Sequence, residues 1–173
     1  MRRLRYSVAA TLDGFIADLN GGYDWIVMDE SIDFAALFSE FDTFVMGRKT
    51  WDATAQTEFV QMFGGKAVIV FSKTLTHAPR PDVTIVHGSP VETVRDLKQK
   101  PGKDIWLFGG GSMFRTLADA RLVDTVEVAI MPVLLSQGVP LLGAGAPITG
   151  MTLTKCETLP KSGIVMLSYT IPS

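Results

Sequence analysis

Two short segments, Met46-Gly47-Arg48-Lys49-Thr50-Trp51 and Phe108-Gly109-Gly110-Gly111-Ser112, each follow an apolar, strand-like run and open a helical pattern with glycine. A helix start exposes unpaired backbone N–H groups and the positive end of its dipole, and glycine lets an anion approach that backbone without a Cβ in the way. Both segments therefore read as phosphate cradles. Two of them in 173 residues point to a ligand phosphorylated in more than one place, for which a dinucleotide is the common case. Neither Gly-x-Gly-x-x-Gly with a downstream acid nor Gly-x-x-x-x-Gly-Lys-Ser/Thr occurs, so an ordinary Rossmann dehydrogenase and a P-loop NTPase find no support.

The elements that must position these cradles follow from apolar patterning. Tyr6 to Ala10, Thr43 to Met46, Ala67 to Phe71, Val83 to Val86, Ile105 to Phe108, Thr125 to Pro132 and Ile164 to Ile171 read as strands. Helical spacing covers Ile32 to Phe41, with Phe34, Leu37, Phe38 and Phe41 on one side, then Val91 to Lys98 and Ser112 to Ala120. Pro79-Arg80-Pro81-Asp82 and Lys100-Pro101-Gly102-Lys103-Asp104 read as surface turns. Short, continuously apolar strands alternating with helices predict an α/β fold: three layers, α/β/α, around a mainly parallel twisted sheet. The last strand alternates enough to be a half-exposed antiparallel edge. Residues 1–173 read as one domain.

In a parallel sheet the segments after the strands converge on one edge. Here they are Gly47-Arg48-Lys49-Thr50, Ser72-Lys73, His87-Gly88-Ser89 and Gly109-Gly110-Gly111, all small, hydroxylated or basic. Arg48 and Lys73 suit a further phosphate, since a guanidinium offers paired donors and an ammonium a point charge.

Composition narrows the partners. A formal charge of −2 leaves no basic footprint for nucleic acid or an anionic membrane, so a small molecule is the expected ligand. The single cysteine, Cys156, excludes an intrachain disulfide, fits a reducing cytoplasmic setting and reads as structural. His77 and His87 fall outside metal-ligand spacing, so no metal is expected. No apolar run approaches the ~20 residues of a membrane span, and Asp13-Gly14 breaks the stretch behind Arg2, Arg3 and Arg5 too early for a secretory signal.

The ordered motifs Ala9-Ala10-Thr11-Leu12-Asp13-Gly14-Phe15-Ile16-Ala17, Val45 to Trp51, Val68 to Lys73 and Leu107 to Gly111 resemble those of the dihydrofolate-reductase-like superfamily over nearly the whole chain. Leu12-Asp13-Gly14, Met131-Pro132-Val133-Leu134-Leu135 and Gly138-Val139-Pro140-Leu141-Leu142 are closer to the reductase domain of bifunctional riboflavin-biosynthesis proteins.

The resemblance implies antiparallel C-terminal strands, a homodimer, and NADPH delivering hydride to a flat heterocycle. Gly47, Arg48, Lys49 and Thr50 would hold pyrophosphate and 2′-phosphate, and Gly109, Gly110, Gly111 and Ser112 the central phosphates. Ser72 and Lys73 would meet the adenosine end, Gly88 and Ser89 the adenine, and Ala9 and Ile16 would flank the nicotinamide. Asp33 is the candidate proton source, with Asp29 and Glu30 as competitors. An acid in a first helical turn, behind Ser31 as N-cap, also has a purely structural reading.

Three departures bear on the substrate. Val128 stands where folate-reducing relatives carry a threonine facing the acid, Lys66 where they carry an arginine, and Phe15 where riboflavin-type reductases carry a lysine. Trp25, in the polar loop with Asn20-Gly21-Gly22-Tyr23-Asp24, reads as part of a lid, whereas Trp51 and Trp106 read as core.

Overall fold

The computed structural model describes residues 1–172 apart from Gln56, Glu58 and Pro79, so Pro79 of the first expected turn lies outside the described residues. In chain order the elements are β1 (Leu4–Thr11), β2 (Phe15–Ala17), α1 (Phe34–Ser39), β3 (Phe41–Gly47), α2 (Arg48–Thr54), α3 (Phe59–Met62), β4 (Ala67–Phe71), β5 (Val83–Val86), α4 (Pro90–Gln99), β6 (Asp104–Gly109), α5 (Gly111–Asp119), β7 (Thr125–Met131), β8 (Val139–Pro140), β9 (Thr152–Leu159) and β10 (Ile164–Thr170). Eight strands form one sheet in the order β5-β4-β3-β6-β1-β7-β10-β9. The first six in that order run parallel, and β10 and β9 add antiparallel. The short β2–β8 pair forms a separate ribbon.

The parallel strands are apolar on both faces because helices cover both. On one face Tyr6, Val45, Ile69, Leu107 and Val128 pack with Phe114 and Leu117 of α5 and Val94 of α4. Tyr6 stacks on Phe114 with ring centroids 4.1 Å apart. On the other face Phe44, Met46 and Trp106 meet Phe38, Trp51 and Phe63, and Trp106 Nε1 donates to the Ser7 carbonyl at 2.8 Å. Trp51 and Trp106 are thus core.

Three expectations need correction. The helix expected over Ile32 to Phe41 is shorter, because Asp33 rather than Ser31 is its N-cap and Phe41 already belongs to β3, opposite Asp104. The last strand, β10, is not the edge. That position falls to β9, whose Thr-Leu-Thr-Lys-Cys-Glu-Thr-Leu run is too polar to stand out and is exposed at every residue but Leu159. Cys156 lies on this strand, exposed, so it has no packing role.

The end of the sheet where the parallel strands begin is closed by ions. Arg5 on β1 donates to both oxygens of Glu127 on β7 at 2.7 and 2.9 Å, pairs with Glu40, and lies 4.5 Å over the Phe41 ring. Arg2 pairs with Asp42 and donates to Thr43 Oγ1 at 2.8 Å. Buried Lys98 on α4 reaches Asp124 and the Leu122 carbonyl. Removing one partner of a buried pair strands the other, at about 3–5 kcal/mol. Arg5→Ala is therefore expected to lose about 3 kcal/mol or more in urea unfolding, and a loss within the range of a surface substitution would contradict this role.

Candidate active site

Strands β5, β4, β3 and β6 are consecutive neighbours, so the four expected segments form a row. In register, Val86 lies opposite Phe71, Phe71 opposite Gly47, and Met46 opposite Gly109. Three inter-strand steps make that row about 14 Å long.

The β3–β6 end of the row is where α2 and α5 begin. Gly47 and Gly110 are their N-caps and neither offers a side-chain cap, so the first-turn N–H groups face outward. Gly109 has φ +144°, a conformation that L side chains rarely adopt, and the Gly109–Gly110 peptide is cis. A Cβ on Gly110 would lie 3.5 Å from Thr50 Oγ1 and 3.9 Å from Ile16 Cδ1. Gly109, Gly110, Thr50 and Ile16 thus border one cradle. Gly111 has another reason to be glycine: a Cβ there would run into the Pro140 carbonyl, and Gly143 N donates to the Gly111 carbonyl at 3.0 Å. Gly138 is likewise pressed against the Ala17 carbonyl. Ser112 is exposed in the first turn of α5.

The flanking residues divide by the work they already do. Lys49 and Lys73 are exposed at the row, whereas Arg48 Nε is engaged by Asp52 at 2.6 and 2.7 Å. That pair is exposed and worth at most about 1 kcal/mol, so an incoming anion displaces it cheaply. Buried Ser72 accepts from Thr74 N and Leu75 N, fixing the turn after β4. Ser89 caps α4 through Glu92 N at 3.4 Å, and Gly88 beside it faces open space. Open N–H groups, a hydroxyl and basic side chains suit an anionic, phosphorylated ligand.

Beyond this row, Ala9 on β1 pairs with Ala129 on β7, and Ile164 and Met166 of β10 continue the surface. Trp25, Ile26 and Ile32 lie across it, so the 18–33 loop does cover this end. Its turn is tied by Asp18, which accepts from Asn20 N and Gly22 N. Asp13, unforeseen in this role, clasps the neighbouring loops by accepting from Thr11 Oγ1, Leu135 N and Ser136 N. The signal for it was the Asp-Gly turn itself.

The three candidate acids differ. Asp33 is exposed and spends Oδ1 on Ala36 N at 2.8 Å. Glu30 is exposed. Asp29 is buried, and the hydroxyls of Ser162 and Ser31 hold its carboxyl down to about 2, so it is ionised at neutral pH. Two positional readings change. Val128 packs with the α5 face, away from the acids, and Ala129 is the β7 residue beside Trp25 and Ile32. Lys66 Nζ is bound to the Phe38 carbonyl at 2.6 Å. Among the described residues no cluster of His, Cys, Asp and Glu is arranged to hold a metal, and no helix is long and apolar enough to cross a membrane.

Residues 2–165 match the family model described as the RibD C-terminal domain. The chain belongs to that family. It is 33% identical to the uncharacterized protein YyaP of Bacillus subtilis, over 97% of this chain and 94% of that one. Its fold superposes on a putative riboflavin biosynthesis protein from Shewanella sp. PV-4 with a TM-score of 0.79 at 30% identity, covering 100% of both chains. The same fold appears in Enterococcus faecalis dihydrofolate reductase complexed with NADP(H), with a TM-score of 0.69 at 15% identity over 99% of this chain and 97% of that one. The family is thus dihydrofolate-reductase-like in fold.

Asp29 generates a pH signature. Its carboxyl is lowered from the ordinary value near 3.9 to about 2, so its stabilisation is complete above pH ~4 and lost as pH falls towards 2. The melting-temperature gap between wild type and Asp29→Asn is expected to narrow over that window, and a gap independent of pH would refute it.

Proposed function

We propose that this protein is an NADPH-dependent reductase of the riboflavin-biosynthesis type, passing hydride to a pteridine- or pyrimidine-like small molecule. The observation that carries the reading is the row of four strand ends whose β3–β6 end, Gly109-Gly110 against Thr50 and the uncapped start of α2, suits phosphate. Membership of the RibD C-terminal domain family supports it.

In this reading Gly47, Arg48, Lys49 and Thr50 hold pyrophosphate and 2′-phosphate, with Lys73 as the second cation. Gly109, Gly110, Gly111 and Ser112 line the central phosphates. Ser72, Gly88 and Ser89 shape the adenosine end by holding the turns after β4 and β5 in place. Ala9 and Ile16 border the nicotinamide. When bound, NADPH supplies the hydride; the chain's own work is to align donor and acceptor and exclude water. Asp33, exposed at the start of α1, takes a proton from solvent and passes it on through the carboxyl oxygen not used in capping. The C-terminal strands of the sheet, outside the surface under the 18–33 loop, serve a homodimer.

A second reading, an NADP(H)-binding protein without reductase activity, is favoured by two observations: Asp29 is held ionised and Asp33 already caps a helix. Asparagine caps helices as well as aspartate but carries no proton to give, whereas alanine does neither. Asp33→Asn is expected to keep wild-type stability and NADPH affinity while turnover falls at least tenfold, and Asp33→Ala to lose about 1 kcal/mol of stability as well. Full activity in the asparagine variant would leave Asp33 a cap only. The preference for NADPH over NADH, read by titration, is expected to shrink about tenfold in Lys73→Ala and less in Arg48→Ala, whose guanidinium must first leave Asp52.

A further inference from the structure

Trp25 holds the one buried polar side-chain atom without a hydrogen-bond partner among the described residues: its indole Nε1. Buried donors are nearly always satisfied, because leaving one unmet forfeits the hydrogen bond it made to water. The side chain packs on the cluster of Met131, Leu159 and Ile164, against which Ala9, Ala129 and Met166 also pack, in the part of the site beyond the phosphate-suited row. No protein acceptor meets it, so the N–H is left for something that arrives.

The same surroundings say what charge that arrival carries. Arg5 is committed to Glu127 and Glu40, Lys66 Nζ to the Phe38 carbonyl, and Lys103 Nζ to the Ser39 carbonyl. Lys161 stands beside Asp29 and Glu30, where its charge faces the Asp29 carboxylate. A phosphate or carboxylate brought against Ala129 and Met166 would lose its water without gaining a counter-charge. An uncharged ring with a carbonyl or ring-nitrogen acceptor loses little and satisfies the indole.

We infer that Trp25 orients the substrate through its indole N–H, and that this substrate is an uncharged, planar heterocycle carrying neither a phosphorylated ribose nor a carboxylate tail. The inference rests on the reductase reading and specifies the ligand of the same site. The ring lies on Ala9 and Ala129, under the 18–33 loop, with one acceptor atom towards Trp25.

Calorimetry on the NADP+-loaded protein tests it with lumazine, an uncharged pteridine, and with 6-carboxylumazine. Lumazine is expected to bind, the carboxylate at least tenfold more weakly, and Trp25→Phe to weaken lumazine about tenfold with NADP+ affinity unchanged. In wild type, the Trp25 indole N–H resonance is expected to move downfield on adding lumazine, a readout that needs no variant to fold. Equal lumazine affinity in Trp25→Phe, an unmoved indole resonance, or a carboxylate that binds as tightly as lumazine would each overturn the inference. Lumazine failing to bind a protein that holds NADP+ would overturn it and leave the reductase reading standing, whereas failure to hold NADP+ would remove both.

Discussion

Arg5 sits where four pieces of the fold must agree. From β1 its guanidinium reaches Glu127 on β7 and Glu40 just before β3, approaches Asp104 at the start of β6, and covers the Phe41 ring. A fork of fixed geometry tolerates little slippage, so these contacts set where each strand starts relative to its neighbours. Between β3 and β6 the register slips by one residue after Phe41 and back again after Val45, so the offset set at the beginning reappears at the end. There it places Met46 opposite Gly109 and Gly47 opposite Phe71, which is the alignment the glycine-opened turns need. The ionic end and the candidate site are opposite ends of the same strands.

Much of this was legible in the sequence because the parallel strands are mostly apolar. Ala67–Phe71 and Val83–Val86 fall where patterning puts them, and the Gly-Arg-Lys-Thr and Gly-Gly-Gly segments lie side by side as the strand-end argument requires. What the pattern hid has physical causes. Strand β9 is exposed on both faces and so carries no apolar alternation, while β8 is held by backbone pairing with β2 and needs no residue signature. The start of α1 was misread by two residues because Ser31 and Asp33 are both good caps, and only the bond to Ala36 N distinguishes them.

Side-chain direction was the harder problem. Successive strand residues face opposite sides, so an offset of one residue on β7 exchanges Val128, packed under α5, for Ala129 beside the loop. The same limit applies to the acids. Asp29, Glu30 and Asp33 are close in sequence, yet one is buried and bound to serine hydroxyls while the other two are exposed. Residue type places an acid near a site, and the local backbone decides what that acid is free to do.

The two tight glycine contacts have a mechanical consequence. Gly111 against Pro140 and Gly138 against Ala17 bring backbone directly onto backbone, with no side chain between to rearrange. The start of α5, the β2–β8 ribbon and the 140–143 segment therefore behave as one rigid wall, since packed backbone has no alternative rotamer to adopt. Any room gained at this end must come from the opposite wall, the 18–33 loop, whose hold on the sheet rests on a few side chains such as Trp25, Ile26 and Ile32. Yielding is thereby one-sided: the wall suited to phosphate is held backbone to backbone, and the 18–33 loop opposite it is held by side chains alone.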